Sequence, residues 1–203
     1  RKNKGAMLGL VLVILIVLTA IFSGIFLDYE TDVIGQNISQ RLQHPSLAHP
    51  MGTDDVGRDV MSRLLYGSRY SLSVGVVAVI IALVFGVTLG SVAGFFGGKL
   101  EEVIMRASDM LAAVPSILMA IAIVSALEQS TLNLMLAVGI TSVPQFVRIT
   151  RAAVMTVRNQ AYIEASRSLG LTEFKIIWSH VLPYCLSPII VQTTLRVASA
   201  IIS

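Results

Sequence analysis

Five stretches of this chain are apolar and free, or almost free, of charge, and short polar segments separate them. They cover about residues 6–27, 71–98, 103–127 and 132–147, and a last run that begins near Leu186 and reaches Ser203. Each is long enough, or nearly so, for a helix to cross a bilayer, which takes about 20 apolar residues. Pro115 and Pro144 fall inside two of them, where neighbouring helices can satisfy the carbonyls a proline frees. The first run is too long for the apolar part of a cleavable leader and lacks a small-residue cleavage pattern, so a retained anchor is expected.

Within the second run Ala82, Gly86, Gly90 and Gly94 recur every fourth residue, along one helical face. Apolar side chains gain little by meeting one another in lipid, whereas small residues let two helix backbones come close. The stripe predicts tight helix–helix contact. Before this run, Val56, Val60, Met61, Leu64 and Leu65 make an apolar stripe with Arg58, Asp59, Ser62 and Arg63 largely opposite. That predicts an amphipathic helix on the outer membrane surface, ending at Gly67.

Composition agrees with the pattern: 55% of residues are hydrophobic and 13% charged, against about a quarter charged in soluble domains. The mean hydropathy is +0.79. A net charge of +3 does not point to nucleic acid, because the basic residues sit between the apolar runs and report topology. An inside amino terminus puts Arg1, Lys2, Lys4, Lys99, Arg106, Arg148, Arg151, Arg158, Arg167 and Lys175 inside. Only Arg41, Arg58, Arg63 and Arg69 then fall outside, and Arg196 lies within a span. The single cysteine, Cys185, permits no intrachain disulfide and reads as an inert apolar residue. His44, His49 and His180 lack metal-ligand spacing. Asp54, Asp55 and Asp59 lack the calcium-loop pattern and suit helix capping and local ion pairs. Asp109 is expected to pair with Arg106, three residues earlier. No metal site, cofactor or catalytic centre is expected, and phosphate-loop, nucleophile-elbow and zinc-protease motifs are missing from the sequence.

Two connections are too long for simple turns, about residues 28–70 outside and 148–183 inside. The internal one reads as two short helices. The first covers about residues 159–169 and stops at Gly170 in a left-handed conformation. Thr172 would cap the second, whose apolar face would be Phe174, Ile177, Trp178 and Val181. Such a unit suits a docking knob for another protein or an interfacial helix pair on lipid headgroups.

Tyr162-Ile163-Glu164-Ala165-Ser166, then Gly170, then His180-Val181-Leu182-Pro183 resembles the EAA loop of binding-protein-dependent ABC importers. Ser166 stands where a second alanine is usual and His180 where isoleucine is common. Externally, Gly52-Thr53-Asp54-Asp55-Val56-Gly57-Arg58-Asp59-Val60 is similar to a signature of the C-type subunit of dipeptide, oligopeptide and nickel permeases. Met105-Arg106 with Asp109 and Pro115, and Val147-Arg148 with Arg151, fit that subfamily. The resemblance runs from about Met7 to the end.

The resemblance implies an all-α polytopic bundle, the transmembrane domain of a type I ABC importer, with five of six spans present. Residues 1–70 would form an anchor plus extracytoplasmic loop, and 71–203 a core truncated at its carboxyl end, with coupling helices at about 159–183. It implies a permease subunit importing di- or oligopeptides across the cytoplasmic membrane, with nickel and glutathione as alternative cargoes. A secondary transporter is the distant rival, but would need coupling sites near the midplane. The implied partners are a B-type permease, two ATPase subunits, an extracytoplasmic solute-binding protein and the bilayer. Tyr162, Glu164, Ala165, Ser166, Leu169, Gly170, Leu182 and Pro183 would dock on an ATPase, and Gly52, Thr53, Asp54, Gly57, Arg58 and Asp59 form the external motif. Arg196, about ten residues into the last span, either faces the translocation path or hydrogen-bonds carbonyls within the bundle.

Overall fold

The computed structural model of the chain describes residues 4–202, and every regular element among them is helical. Arg1 and Lys2, which entered the orientation argument, and Ser203 lie outside the described residues. The chain divides into two compact units, Arg1–Ser73 and Val74–Ser203.

In the first unit, α1 (Lys4–Phe26) is apolar on all sides and buries only Ala20 and Ser23. Such a helix is stable in lipid, where its backbone is satisfied internally and its side chains need no aqueous face. The Asp28 carboxylate then caps a single π-helical turn, Tyr29–Val33, by accepting from the amides of Glu30 and Thr31. Tyr29 packs on Tyr66 at 5.3 Å between ring centroids, and the Arg69 guanidinium lies 5.5 Å over the Tyr66 ring. Gly24 lies beside that guanidinium, which would have to shift to admit a Cβ there.

Helix α2 (Val60–Phe96) is continuous over 37 residues, which corrects two expectations. The amphipathic segment does not stop at Gly67, and Val56 precedes the helix in a turn. A mid-helix glycine costs about 1 kcal/mol relative to alanine. That is too little to end a helix whose next residues are an uninterrupted apolar run.

In the second unit, Gly97 and Gly98 take φ of 69° and 61°, a left-handed pair that turns the chain into α3 (Gly98–Ala113). The expected third span is broken. It consists of α3 and α4 (Ser116–Ala126), bent by 88°. Pro115 marks the break: proline disfavours the helical region for the preceding residue, and Val114 sits at φ −88°, ψ 130°. Helix α5 (Thr131–Val157) contains Pro144 and runs ten residues beyond the expected end, taking Arg148 and Arg151 into the helix. Helices α6 (Ala161–Ser168), α7 (Glu173–Ile176) and α8 (Leu186–Ile202) follow. Between α7 and α8 lie a π turn, Ile177–Val181, and a 3₁₀ turn, Leu182–Cys185.

The small-residue stripe meets α5. Cβ atoms at Gly86, Gly90 and Gly94 would strike Phe146, the Val147 carbonyl with Thr150, and Arg151 with Val154, respectively. Ala82, Phe146, Val147 and Val154 have no exposed surface. Arg151 pairs with Glu101, and Arg148 pairs with Asp109 at 2.8 Å, so α3 is tied to α5 at two points. Asp109 therefore does not pair with Arg106, whose partner is Glu102 at 2.8 Å. On a helix a basic residue preceding an acidic one is the weaker order, and α5 supplies a better cation.

Replacing Gly90 by alanine should lower the thermal stability of the detergent-solubilised protein, because its Cβ would lie 2.7 Å from the Val147 carbonyl oxygen. The expected loss is about 1–3 kcal/mol. Gly67→Ala, with open space around it, should be neutral or stabilising, and equal melting shifts for the two variants would contradict this packing.

Candidate functional site

The external motif folds into a compact loop whose hydrogen bonds converge on Thr53 and Asp54. Thr53 is buried, donates its hydroxyl to the Gln40 carbonyl and accepts from the Gln43 amide at 2.8 Å. Asp54 Oδ1 accepts from the amides of Val56 (3.0 Å) and Arg58 (2.9 Å), and Oδ2 accepts from Arg58 Nε and Arg63 Nη1, both at 2.7 Å. Burial alone would raise the Asp54 carboxyl, but the Arg58 amide and guanidinium and the Val56 amide outweigh it and hold it at about 2, below its ordinary 3.8. Gly52 and Gly57 have φ of 74° and 79°, and a Cβ at Gly57 would collide with the Asn37 carbonyl. Both positions require glycine on conformational grounds.

Asp59 caps α2. Its Oδ2 accepts from the Ser62 amide at 2.7 Å, and Oδ1 lies 3.1 Å from His49 Nδ1. Burial opposes ionisation here too, but the Ser62 and His49 hydrogen bonds prevail and the carboxyl is lowered. Capping and ion pairing are thus the uses of Asp54 and Asp59, and no group of three or more His, Cys, Asp or Glu among the described residues could hold a metal. The participation of His49 and Arg63 was not apparent from sequence, because nothing in the spacing links His49 to a carboxylate ten residues on.

The internal unit is rooted in the core. Gly170 has φ 79°, and its amide and that of Leu171 donate to the carbonyls of Arg167 (2.9 Å) and Ser166 (3.3 Å), closing α6 in the glycine-stopped manner expected. Thr172 occupies the cap position of α7 without a side-chain cap bond. The buried face is Ile163, Ile176, Ile177, Val181, Leu182 and Cys185, clustered with Phe95 of α2, Val154 of α5 and Ile189 of α8. This corrects the expected apolar face: Phe174 is 71% and Trp178 47% exposed. The π turn after Ile176 takes more residues per turn than an α-helix, so a 3.6-residue projection misassigns the face. Arg167 stacks over Phe95 at 5.2 Å and pairs with Glu173 at 3.1 Å. Ser166 is buried and returns its hydroxyl to the Tyr162 carbonyl at 2.8 Å, while Tyr162 stacks on Tyr184 at 5.2 Å. Glu164, Ala165, Leu169 and Pro183 are exposed.

Arg196 lines a cavity of about 540 Å³ between α4, α5 and α8, together with Thr141, Ser142, Gln145 and Ser199. The three places are separate in the chain, and each is built from its own local contacts.

The acid response of the external loop follows from Asp54. A carboxyl held near 2 rather than 3.8 contributes stability that is complete above about pH 4 and is lost as pH falls toward 2. Hydrogen exchange at the amides of Val56 and Arg58, corrected for intrinsic rates, should therefore show constant protection at neutral pH and a decline between pH 4 and 2. Asp54→Asn should lower protection at neutral pH and flatten that decline. Full protection retained at pH 2 would contradict the assignment.

Residues 86–203 match the family described as binding-protein-dependent transport system inner membrane component. Residues 1–45 match the N-terminal transmembrane domain of oligopeptide transport permease C. The dipeptide transport system permease protein DppC of Alkalihalophilus pseudofirmus is 44% identical over 202 residues, covering 100% of this chain and 66% of that protein. The oligopeptide transport system permease protein OppC of Bacillus subtilis is 39% identical, covering 99% and 65%. A glutathione transport system permease protein, GsiD of Pectobacterium atrosepticum, is 40% identical, covering 78% and 53%. The chain thus spans about two thirds of the length of the first two relatives. A chain of the MetNI methionine ABC transporter, solved in inward-facing conformations, shares the fold with TM-score 0.60 at 18% identity, over 68% of this chain and 69% of that one. Taken with apolar helices long enough to cross a membrane, these matches show that the chain belongs to the family of inner-membrane components of binding-protein-dependent transport systems.

Proposed function

We propose that the chain is a permease subunit of an ATP-driven importer of di- or oligopeptides, working beside a B-type permease, two ATPase subunits and an extracytoplasmic binding protein. The amino terminus is cytoplasmic, because that orientation places most arginines and lysines inside. ATP hydrolysis is supplied by the ATPase subunits, and this chain has no catalytic centre of its own. The cavity beside Arg196 is this subunit's share of the translocation path. The names of the DppC and OppC relatives favour peptide over glutathione, which the GsiD relative represents. Nickel remains the other alternative.

The observation that carries the reading is the α6–Gly170–α7 unit. Its inner face is fused with the ends of α2, α5 and α8, while Leu169 (82% exposed) and Phe174 project outward with Trp178 and Tyr184. An interfacial helix pair would also expose apolar residues, but Glu164 and Lys175 are exposed among them. A mixed surface of that kind suits a protein groove better than an acyl boundary. Docked there, Tyr162, Glu164, Ala165, Ser166, Leu169 and Gly170 follow the ATPase when it closes, with Leu182 and Pro183 joining them to α8. The bundle then switches between inward- and outward-facing states as a rigid-body transition. The external Gly52–Asp59 segment lies on the side from which a binding protein delivers cargo.

Gly170→Val separates folding from coupling. No atom lies within 4 Å of the added Cβ, so the cost is the left-handed backbone, about 1–2 kcal/mol. In the full-length reconstituted complex this variant should reach the membrane at near-normal levels yet lose most ATP-dependent uptake. Gly170→Asn, which tolerates that conformation, should retain most of it. Normal uptake by the valine variant would remove the knob from the mechanism.

A further inference from the structure

The cavity between α4, α5 and α8 is polarised in a way that the permease reading does not require. Arg196 is the only charged residue among those lining it, and no carboxylate lies there. Among the described residues the Arg196 side chain has no hydrogen-bond or ion-pair partner, while its backbone belongs to the α8 helix. It sits ten residues into α8, about 15 Å along the helix from Leu186, near the middle of a bilayer core about 30 Å thick. A guanidinium held at that depth without a counter-ion is costly, and such residues mark paths for substrates or ions.

The neighbouring polar groups sort into donors and acceptors. The hydroxyls of Thr141 and Ser142 both donate to the Val138 carbonyl, at 3.0 and 2.9 Å, and that of Ser199 donates to the Leu195 carbonyl at 3.1 Å. With their protons turned to these carbonyls, their oxygens keep lone pairs free to accept from a ligand. Gln145 Oε1 accepts from Gln192 Nε2 at 3.3 Å, which leaves the Gln145 amide N–H groups to donate. Around Arg196 the cavity therefore offers a planar cationic fork and the Gln145 amide as donors, and hydroxyl oxygens as acceptors. Ser116, Ser125 and Gln129 add further neutral polar groups to the lining, and the rest of the wall, which includes Ile117, Ile121 and Leu134, is apolar.

We propose that this cavity is a carboxylate subsite on the translocation path, in which Arg196 takes the terminal carboxylate of a passing peptide, Gln145 helps, and the Thr141, Ser142 and Ser199 oxygens receive peptide N–H or ammonium groups. The inference rests on the peptide-import reading and adds what part of the peptide this subunit recognises. A guanidinium fork matches a carboxylate through two parallel hydrogen bonds. Where a bound peptide displaces water from the fork, this discriminates against a neutral amide, since a polar group left unmatched there loses its partner. Because a released substrate must not be held, the subsite needs one such pairing and no second fixed charge.

The test uses the full-length protein with its partner permease, ATPases and binding protein in proteoliposomes. Initial ATP-dependent uptake of alanyl-alanine and of its carboxyl-terminal amide is measured for the wild type, Arg196→Gln and Arg196→Lys, with the amount of assembled complex determined for each. The binding protein is common to all, so its own preference cancels when each variant's acid-to-amide ratio is divided by that of the wild type. That ratio should fall about tenfold in the glutamine variant, through slower uptake of the free acid, and recover in large part in the lysine variant. Gln145→Glu, which sets a fixed carboxylate in the same cavity, should depress free-acid uptake at least as far. An unchanged ratio, equal losses for acid and amide, or undiminished uptake by Gln145→Glu overturns the subsite while leaving the importer reading intact. A wild-type complex that moves no peptide overturns the peptide reading and the subsite together.

Discussion

The contact on which the second unit depends is the approach of α2 to α5 at Gly86, Gly90 and Gly94, where α2 puts no side chain between the two helices. In water a helix pair is held by burial of apolar surface, but lipid tails compete equally for that surface. What remains is close packing, and close packing needs shape. The absence of three Cβ atoms supplies it, and Phe146, Val147 and Val154 fill the grooves so formed without exposed surface. With α5 fixed in this way, Arg148 and Arg151 reach Asp109 and Glu101 of α3. Arg158 also reaches the Gly94 carbonyl at 2.8 Å.

The helical architecture was largely legible in the sequence because the bilayer restricts what an apolar run can do. The period-four glycines gave their own packing face correctly. What the sequence hid was continuity and breakage. Gly67 looked like a stop and was not, because a single glycine is a weak penalty against a long apolar helix. Pro115 looked tolerable and instead separated two helices at 88°, whereas Pro144 is carried within α5. The difference is local: Val114 has left the helical region before Pro115, and nothing in the residue types alone distinguishes the two prolines.

At the candidate sites, the one conformation read from residue identity, the left-handed stop at Gly170, is the one adopted. Gly52 and Gly57 are left-handed too, which their place in the external motif did not by itself announce. The ion pairs were harder to foresee, since Asp109 finds a partner 39 positions away and Asp59 uses a histidine that no motif marks. The apolar face of the internal unit was misread for a single reason, a π turn that shifts the angular register after Ile176. Arg196 stood out in the sequence as an intramembrane charge, but its surroundings are assembled from α4, α5 and α8 and could not be read from any one of them.

The nine-residue cluster beneath the internal unit has a mechanical consequence. Side chains from α2, α5, α6, α8 and the intervening turns share one close-packed volume, and close-packed interiors have low compressibility. A displacement imposed on Leu169 or Phe174 therefore meets almost no slack there and arrives at the ends of three membrane helices nearly undiminished. Compliance is then left to places outside this cluster, with the proline in α5 and the elbow between α3 and α4 as the natural points to yield.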